Sequence, residues 1–253
     1  MSGMHALALA VALASALTPA PPGAADGEAG SAKSPTSAKG REPVAALVKR
    51  CVEAYGGKAA FARSALRREV GTVTSLLHPG DVGEIGRAYS RPGRLRVEIA
   101  YPGGGGEIRV LDGARGWRDG EEASGPRLQA MVLQAARLDV VAMLAAPTTK
   151  VTERGGSTVN GVTVRVLAFE PAPGLTVEAH VDPRTGRILR TRGSAGGPNV
   201  PVAFETTYGD FKKVDGVLVA LHEWNWANGK STGETVLKEV EFPKTLPPET
   251  WTP

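Results

Sequence analysis

The sequence predicts an α+β domain built on one wide antiparallel sheet with a few helices. About twelve segments show the apolar–polar alternation of half-buried strands. Turn signals such as Asn-Gly and Asp-Gly separate several of them, which favours hairpins between sequence neighbours. Helical periodicity is confined to two regions, before the first strand and in the middle of the chain. A twisted sheet of this width tends to curl, so its inner face must be covered by helices, by a ligand or by both.

The clearest strand pattern lies in residues 84–120. Within Arg94–Tyr101, every second residue is apolar, as in a strand with one buried face. The turn at Arg91–Gly93 precedes this strand, and the glycine run Gly103–Gly106 and the pair Asp112-Gly113 follow it. Glycine permits the backbone conformations of tight reversals. This stretch therefore predicts an antiparallel meander.

The same criteria place strands along the rest of the chain. The predicted strands of the first half are Leu66–Leu77, Gly83–Ser90, Arg94–Tyr101, Glu107–Leu111 and Arg115–Arg118. Those of the second half are Thr149–Arg154, Val162–Phe169, Leu175–Val181, Arg187–Arg192, Val202–Tyr208, Val217–Trp226 and Glu234–Phe242. The proline-rich tail, Pro243–Pro253, is expected to lie over an edge of the sheet.

Two helices are predicted before the first strand. Pro43 suits the first helical position, and apolar residues recur every three or four positions over residues 44–55, on one face of a helix. A pair of glycines ends that helix. Cys51 belongs to the apolar stripe, which favours a buried packing residue over a nucleophile. A short second helix is predicted over Lys58–Ser64.

A second helical region separates the two groups of strands. Pro126 is expected at the start of a helix that reaches Leu138, because the apolar residues between them have helical spacing. Asp139 is expected to cap a shorter helix that is stopped by Pro147. We expect this helical pair to pack across the sheet.

The N-terminus predicts export. His5–Leu17 is an apolar run too short to span a bilayer, and the small residues Gly23–Ala25 follow it in the pattern that signal peptidase cleaves. We therefore expect a signal peptide over residues 1–25 and a soluble periplasmic or secreted protein, the alternative being an uncleaved anchor. Residues 26–42 contain too little apolar surface to fold and are expected to be a disordered linker. Residues 43–253 are predicted to form one domain.

Composition argues against several classes of function. Aromatic residues make up 5% of the chain, too few for a base-stacking platform, and no basic cluster follows a helix, so no nucleic-acid partner is expected. A single cysteine excludes an internal disulfide and a cysteine-based zinc cluster. The net charge of +4 fits either solubility or contact with anionic lipids. We predict no metal and no cofactor, and we expect a monomer.

The sequence assembles no complete catalytic site. His180 and Asp182 share a face at a predicted strand end, where the carboxylate would orient an imidazole or help to hold a metal, but the pair also fits an ordinary strand end. His222-Glu223 begins like a zinc-protease motif, whose second histidine is missing and whose helix is replaced by a strand. No Gly-x-Ser-x-Gly elbow is present. We predict that the protein is not an enzyme, with a hydrolase around His180 as the less favoured alternative.

Several motifs in the chain resemble a known family. Arg91-Pro92 before an arginine-rich strand, Val110–Gly113 and Gly116-Trp117 occur in the order and spacing typical of the LolA-like periplasmic lipoprotein carriers. The resemblance covers roughly residues 43–242. It implies a strongly curved antiparallel sheet that forms a half-open, incomplete β-barrel covered by α-helices, LolA/LolB-like, with an apolar hollow inside.

The resemblance also implies a function. LolA-like proteins bind lipids or the acyl chains of lipoproteins and move them toward the outer membrane, with a membrane complex as donor or acceptor. In the family, the arginine before the proline holds a helical lid shut through hydrogen bonds to backbone carbonyls, and the matching residue is Arg91, which otherwise reads as an exposed turn arginine. The residues expected to line the hollow and contact cargo are Leu95, Val97, Ile99, Val110, Trp117, Met131, Leu138 and Met143.

Burial of an acyl chain supplies enough free energy for such a carrier. At about 0.8 kcal/mol per methylene, a chain of about sixteen carbons gains about 12 kcal/mol on leaving water. Association costs offset a large part of this gain, so the remainder suits reversible binding under a movable lid. The alternative is a periplasmic sensor or interaction module of the same fold, in which the interior is filled and a protein partner replaces the cargo.

Overall fold

Thirteen strands form one continuous antiparallel sheet in the computed structural model, which describes residues 42–196 and 202–253. The strands are β1 (Leu66–Ser75), β2 (His78–Ser90), β3 (Arg94–Ala100), β4 (Glu107–Asp112), β5 (Arg115–Arg118), β6 (Glu121–Ala123), β7 (Thr152–Val159), β8 (Val162–Phe169), β9 (Leu175–Val181), β10 (Ile188–Ala195), β11 (Val202–Val214), β12 (Val217–Ala227) and β13 (Lys230–Glu241). The helices of these residues are α1 (Val44–Ala54), α2 (Gly57–Arg63), α3 (Gly125–Leu138), α4 (Val140–Ala145) and a 3-10 helix (Pro248–Trp251).

The strand order shows how two meanders join. From edge to edge it is β6-β5-β4-β3-β2-β1-β13-β12-β11-β10-β9-β8-β7. Sequence neighbours pair throughout except at the centre, where β1 pairs with β13. The edge strands β6 and β7 are linked in the chain by α3 and α4. This arrangement confirms the predicted α+β class with a single, unclosed antiparallel sheet.

The contacts of α3 show that the sheet is strongly curved. This helix contacts β4 and β5 near one edge of the sheet and β9 and β10 near the other. In a flat sheet β5 and β9 would lie about 40 Å apart, at about 4.8 Å per strand, whereas a helix with its side chains is only about 10 Å wide. The sheet therefore curls around α3, and the surface that faces this helix is its inner face.

Two glycines allow the close approach of α3 to both sides of the curl. A Cβ atom on Gly116 of β5 would lie 3.0 Å from Leu128 Cδ1 and 3.1 Å from two atoms of the Met131 side chain. A Cβ atom on Gly193 of β10 would lie 3.2 Å from Leu133 Cβ. Contacts of this length are tighter than ordinary packing, so each glycine supplies the room that a larger residue would remove.

The apolar core is divided by α3. On one side, Met131 and Ala135 pack against an apolar cluster from β1 to β4. On the other side, Leu133 packs with α1, α4 and the inner residues of β8 to β10. Cys51 lies in this second cluster and is fully buried, as predicted, and burial raises the pKa of its thiol to about 12. Side chains of α3 thus fill most of the space that the curled sheet encloses.

Apart from shifted strand ends, such as β2 beginning at His78 and β7 reaching Val159, the structure differs from the predicted elements as follows. β6 was not predicted, because its residues Glu121-Glu122-Ala123 lack an apolar alternation. β11 extends to Val214 although Gly209-Asp210 resembles a turn, because Asp210 takes a φ of 50° without interrupting the pairing with β12. The C-terminal tail lies on the outer face instead of an edge: its 3-10 helix contacts β3 and β4, and Arg96 Nη1 donates a hydrogen bond of 2.8 Å to the carbonyl of Thr252.

The predicted signal peptide, residues 1–25, and the linker up to Arg41 lie outside the described residues. Glu42, the last residue of the predicted linker, is held by the folded domain. Its carboxylate accepts a hydrogen bond of 2.7 Å from Arg50, and its carbonyl accepts one of 2.8 Å from Arg165. Within the described residues, the helices are too short or too polar to cross a bilayer.

Candidate functional site

Three cavities follow one another beneath α3, along the inner face of the sheet. We call them the helix-end cavity (about 100 Å³), the middle cavity (about 30 Å³) and the hairpin-end cavity (about 290 Å³). Glu223 of β12 lines all three of them. Arg137 is shared by the first two, and Gln134 by the last two. The cavities therefore form one path from α2 and α4 at one end to the β1–β2 hairpin at the other.

The helix-end cavity lies where α1, α2 and the α3–α4 junction meet the sheet. Apolar and aromatic side chains form much of its wall, among them Phe61 of α2, Leu138 of α3, Val140 of α4 and Tyr208 of β11. Arg91 also lines it, from the turn between β2 and β3. Helical segments thus cover this end of the path and sheet residues form its floor.

Arg91 joins three parts of this end of the molecule. Its Nε and Nη2 donate hydrogen bonds of 2.7 and 2.5 Å to the two carboxylate oxygens of Asp139, which separates α3 from α4. Its Nη1 donates one of 2.9 Å to the carbonyl of Phe61 in α2. These bonds raise the pKa of Arg91 although burial opposes its charged form. The expected cap on α4 is absent, because the Asp139 carboxylate binds Arg91 and makes no side-chain capping bond.

A buried ion network lies at the midpoint of the path. Arg87 of β2 donates two hydrogen bonds, of 2.8 and 2.9 Å, to the Glu223 carboxylate, and its Nε lies 2.6 Å from Glu69 Oε2. Arg67 Nε lies 3.2 Å from the other Glu69 oxygen, and Arg67 Nη2 donates to the carbonyl of Leu138 at the end of α3. Burial opposes ionisation of Glu69, but Arg67 and Arg87 outweigh it and lower the pKa of this carboxyl. Glu69 therefore remains charged at neutral pH.

This network corrects the expectation of a continuously apolar hollow. The register places Glu69 opposite Arg87, and Arg87 opposite the buried Val97, so all three lie on the inner face. In the sequence, these charged residues look like the exposed positions of alternating strands. Only the pairing of the strands shows that the charges point inward.

The underside of α3 is also polar. Gln134 and Arg137, one helical turn apart, face the path: Arg109 Nη1 of β4 donates to Gln134 Oε1 at 2.9 Å, and Arg137 Nη1 donates to Thr206 Oγ1 at 2.8 Å. Among the described residues, Nε of Arg109 and Nε of Arg137 have no hydrogen-bond partner. Burial lowers the pKa of both guanidinium groups. Their positive charge is therefore only partly compensated.

The hairpin-end cavity is charged at its inner end, and both apolar and hydroxyl side chains line it toward the β1–β2 hairpin. Arg87, Arg109 and Glu223 line the inner end, next to the ion network. The β1–β2 hairpin, at the opposite end, carries exposed Leu76 (67%) and Leu77 (79%). The residues between these two ends that line the cavity include Val73, Ile85, Ile99 and Tyr101, with His78 stacked on Tyr101 at 3.9 Å.

The predicted cargo residues occupy different places. Leu138 lines the helix-end cavity and Ile99 the hairpin-end cavity. Leu95, Val97 and Met131 are buried together in the core between the sheet and α3. Met143 packs against the core cluster on the other side of α3.

Val110 and Trp117 lie on the outer face, which corrects their expected position in the hollow. Val110 pairs with Arg96 and Trp117, whereas the neighbouring Leu111 pairs with Leu95 of the inner core. Alternation along β4 therefore turns Val110 away from α3. The C-terminal 3-10 helix packs against this outer side of β3 and β4, and Trp117 stacks beneath the guanidinium of Arg115 at 4.9 Å.

His180 and Asp182 do not form an acid–base pair. The Asp182 carboxylate accepts hydrogen bonds from Arg184 N at 2.9 Å and Thr185 Oγ1 at 2.6 Å, and so holds the turn after β9. Both ring nitrogens of His180 are buried, without a hydrogen-bond partner among the described residues. Burial, assisted by Arg190 and Arg192, lowers the pKa of His180 to about 4. In the described residues no three metal-binding side chains cluster.

A curled, unclosed antiparallel sheet with a helix across its inner face defines an open half-barrel. Two solved structures have this architecture: a LolA superfamily protein from Nitrosomonas europaea (TM-score 0.57, 12% identity, 84% of this chain and 99% of that chain) and an outer membrane lipoprotein-sorting protein domain from Vibrio parahaemolyticus (TM-score 0.52, 12% identity, 83% and 97%). No family model and no curated protein matches the chain. The chain has the fold of the LolA superfamily, which confirms at the level of fold the resemblance found in the sequence.

Proposed function

We propose that this protein is an exported carrier that binds a lipid, or the acyl chain of a lipoprotein, beneath α3 and moves it toward the outer membrane. The observation that carries the proposal is the path of three adjoining cavities, which runs beneath a helix that an ion pair ties to the sheet. The solved structures of the same fold, one of them named for lipoprotein sorting, support this class of function.

In this proposal, the structure described here is the closed form of the carrier, and the small cavity volumes support this assignment. The hairpin-end cavity, about 290 Å³, is at the lower limit of ligand pockets, which begin at about 300 Å³. Cargo with a long acyl chain therefore needs α3 to move away from the sheet. This movement would uncover Leu95, Val97 and Met131, which are packed between β3 and α3, and would leave Ile99 and Leu138 at the two ends of the enlarged hollow.

We infer that Arg91 controls that movement. Its bonds to Asp139 and to the Phe61 carbonyl connect the β2–β3 turn to the α3–α4 junction and to α2. Charge-assisted bonds of this kind contribute about 1.5–3 kcal/mol each, less than the gain of about 12 kcal/mol from burying a long acyl chain. Burial of the acyl chain can therefore open the closed form. The free energy spent on breaking the Arg91 hydrogen bonds lowers the net affinity for cargo, so binding stays reversible.

The remaining features of the proposal come from the N-terminus. We infer that a signal peptide, residues 1–25, directs the chain to the periplasm, and that the linker ending at Glu42 connects it to the folded domain. In this scheme the carrier acts as a monomer between a donor and an acceptor membrane complex, without a cofactor and without catalysis.

The test is to identify what the exported protein carries. The protein is purified from the periplasm of a bacterial host, and its extract is analysed by lipid mass spectrometry beside the same domain produced in the cytoplasm. We expect acyl lipids to copurify at close to one molecule per protein. We also expect a fluorescent twelve-carbon fatty acid to compete with these lipids for the site beneath α3. A protein free of lipid that does not bind the probe overturns the proposal. A stable protein partner in place of lipid would indicate the interaction module instead.

A further inference from the structure

The inner end of the hairpin-end cavity contains more positive than negative groups. The charged residues that line this cavity and the middle cavity are Arg87, Arg109, Arg118, Arg137, Glu107 and Glu223. Behind them, Glu69 pairs with both Arg87 and Arg67. At the rim, Asp119 lies 3.6 Å from Arg118 and compensates part of its charge. Counted together with Arg67, Glu69 and Asp119, these described residues comprise five guanidinium groups and four carboxylates.

The uncompensated charge is centred on Arg109. Arg87 has two carboxylates for one guanidinium, whereas Arg109 pairs with Glu107 at 3.4 Å, and that carboxylate also pairs with Arg118 at 2.8 Å. The Nε of Arg109 forms no hydrogen bond to any described residue. A guanidinium that retains free donors in a confined site is suited to bind a carboxylate or a phosphate.

The sheet register arranges charge and apolar surface in successive rows. One row on the inner face runs through Glu69, Arg87, Val97, Arg109 and Arg118. The next row toward the β1–β2 hairpin contains Gly71, Ile85, Ile99 and, at its β4 end, Glu107, and beyond it lie Val73 and Tyr101. The distance along β1 from the charged row to the hairpin is about 20 Å, at about 3.3 Å per residue. A cationic inner end thus continues into a channel that has apolar side chains on β1, β2 and β3.

We propose that the hairpin-end cavity binds an anionic single-chain amphiphile, with its carboxylate or phosphate group against Arg109 and its alkyl chain directed toward the β1–β2 hairpin. This inference rests on the proposed carrier function and names the chemistry of its cargo. The acid group supplies a negatively charged acceptor for Arg109 Nε, which has no hydrogen-bond partner among the described residues. The alkyl chain packs on Ile85, Ile99 and Tyr101 and reaches the exposed Leu77 at the opening.

The test compares ligands that differ only in the head group. Dodecanoic acid, dodecyl phosphate and dodecanol are titrated into the domain by calorimetry at pH 8, below their micelle concentrations. We expect at least one of the two anionic ligands to bind ten-fold or more tightly than the alcohol, and comparison of the acid with the phosphate identifies the preferred group. In Arg109→Met, this preference disappears while binding of the alcohol is unchanged. Arg109→Lys retains part of the preference, because it keeps the charge.

The control for lost charge is Arg115→Met, because Arg115 lies on the exposed outer side and pairs with Glu122. This variant is expected to bind all three ligands like the parent protein. Circular dichroism and urea unfolding verify that each variant folds. If the parent binds all three ligands equally, or if Arg109→Met keeps the preference, the inference is overturned but the carrier function stands. If no dodecyl ligand binds, both proposals are overturned.

Discussion

Arg91 and Asp139 form a two-point ion pair that ties the turn between β2 and β3 to the junction of α3 and α4. The two hydrogen bonds measure 2.7 and 2.5 Å, and the Asp139 side chain is only 9% exposed. The resemblance to lipoprotein carriers predicts that an arginine at this position holds the lid through backbone carbonyls. The geometry has one such carbonyl, that of Phe61, but the bond to the α3–α4 segment is to a carboxylate.

Breaking this pair is expected to loosen the helical cover. Arg91→Leu and Asp139→Asn should each lower the free energy of unfolding by about 1–3 kcal/mol, because a partly buried charged hydrogen bond is lost, and should speed uptake of a fluorescent fatty acid. The double variant should cost less than the sum of the two single ones. Urea unfolding and stopped-flow fluorescence measure both effects. The control is Arg94→Leu, since its pair with Asp112 is 47% and 40% exposed and is worth less than about 1 kcal/mol. Equal losses for Arg91 and Arg94 would contradict a special role for Arg91.

Two inner arginines are expected to differ in their effect on stability. Arg87→Met leaves the carboxylates of Glu69 and Glu223 buried without their shared partner, so unfolding should become about 3–5 kcal/mol easier. Arg109→Met removes a cation whose charged form is disfavoured by burial, and it should change stability by less than about 1 kcal/mol. Denaturant titration at pH 7 measures both. A larger loss of stability in Arg109→Met than in Arg87→Met would show that the charge balance of the interior has been assigned wrongly.

The glycines beside α3 provide a test of its close packing. In Gly193→Ala, the new methyl group meets Leu133 Cβ at 3.2 Å, an atom that is fixed to the helix backbone, so overpacking should cost about 1–3 kcal/mol. In Gly116→Ala, the nearest atoms are the flexible ends of Leu128 and Met131, and the cost should be smaller. Thermal unfolding of the two variants gives the comparison. Equal melting temperatures would indicate that α3 adjusts freely on both sides.

His180 is expected to make stability depend on pH. Its pKa is lowered from 6.5 to about 4 in the folded protein, so between these values the unfolded state binds more protons than the folded state. Stability is therefore highest above pH 6.5 and falls as the pH decreases toward 4. His180→Leu should flatten the melting temperature between pH 6.5 and 5, above the range in which carboxylates such as Glu69 titrate. If the melting temperature of His180→Leu depends on pH as steeply as that of the parent protein, other groups cause the pH dependence.

The sequence predicts the architecture well because alternation and turn signals are local. Such signals predict the strand Arg94–Tyr101, observed as Arg94–Ala100, and the hairpins at Asn160-Gly161 and Asp215-Gly216. Both hairpin pairs have the positive φ angles that tight two-residue turns require. β6 has no such signal and was missed. The resemblance around Arg91 and Trp117 then predicted the curl of the sheet, which alternation alone does not specify.

The chemistry of the interior was not predictable from the same signals. Alternation shows that Val110 and Leu111 face opposite sides, but not which side faces α3, and this depends on pairing between distant strands. Likewise, Glu69, Arg87 and Glu223 come together only because β1 pairs with both β2 and β13, and β13 with β12. A charged side chain in an alternating strand is usually exposed. No local feature of the sequence identifies the charged side chains that are buried instead.

The edge strands of the sheet are not paired with each other, and this affects how the curvature of the sheet is held. In the part of the chain that the structure describes, no backbone ladder joins β6 to β7, and α3 bridges the gap with side chains alone. The sheet is therefore an incomplete ring around α3, and strand pairing does not fix its circumference. In the proposed carrier, movement of α3 would widen the sheet without breaking any strand pairing, so one domain would accept cargo of different widths.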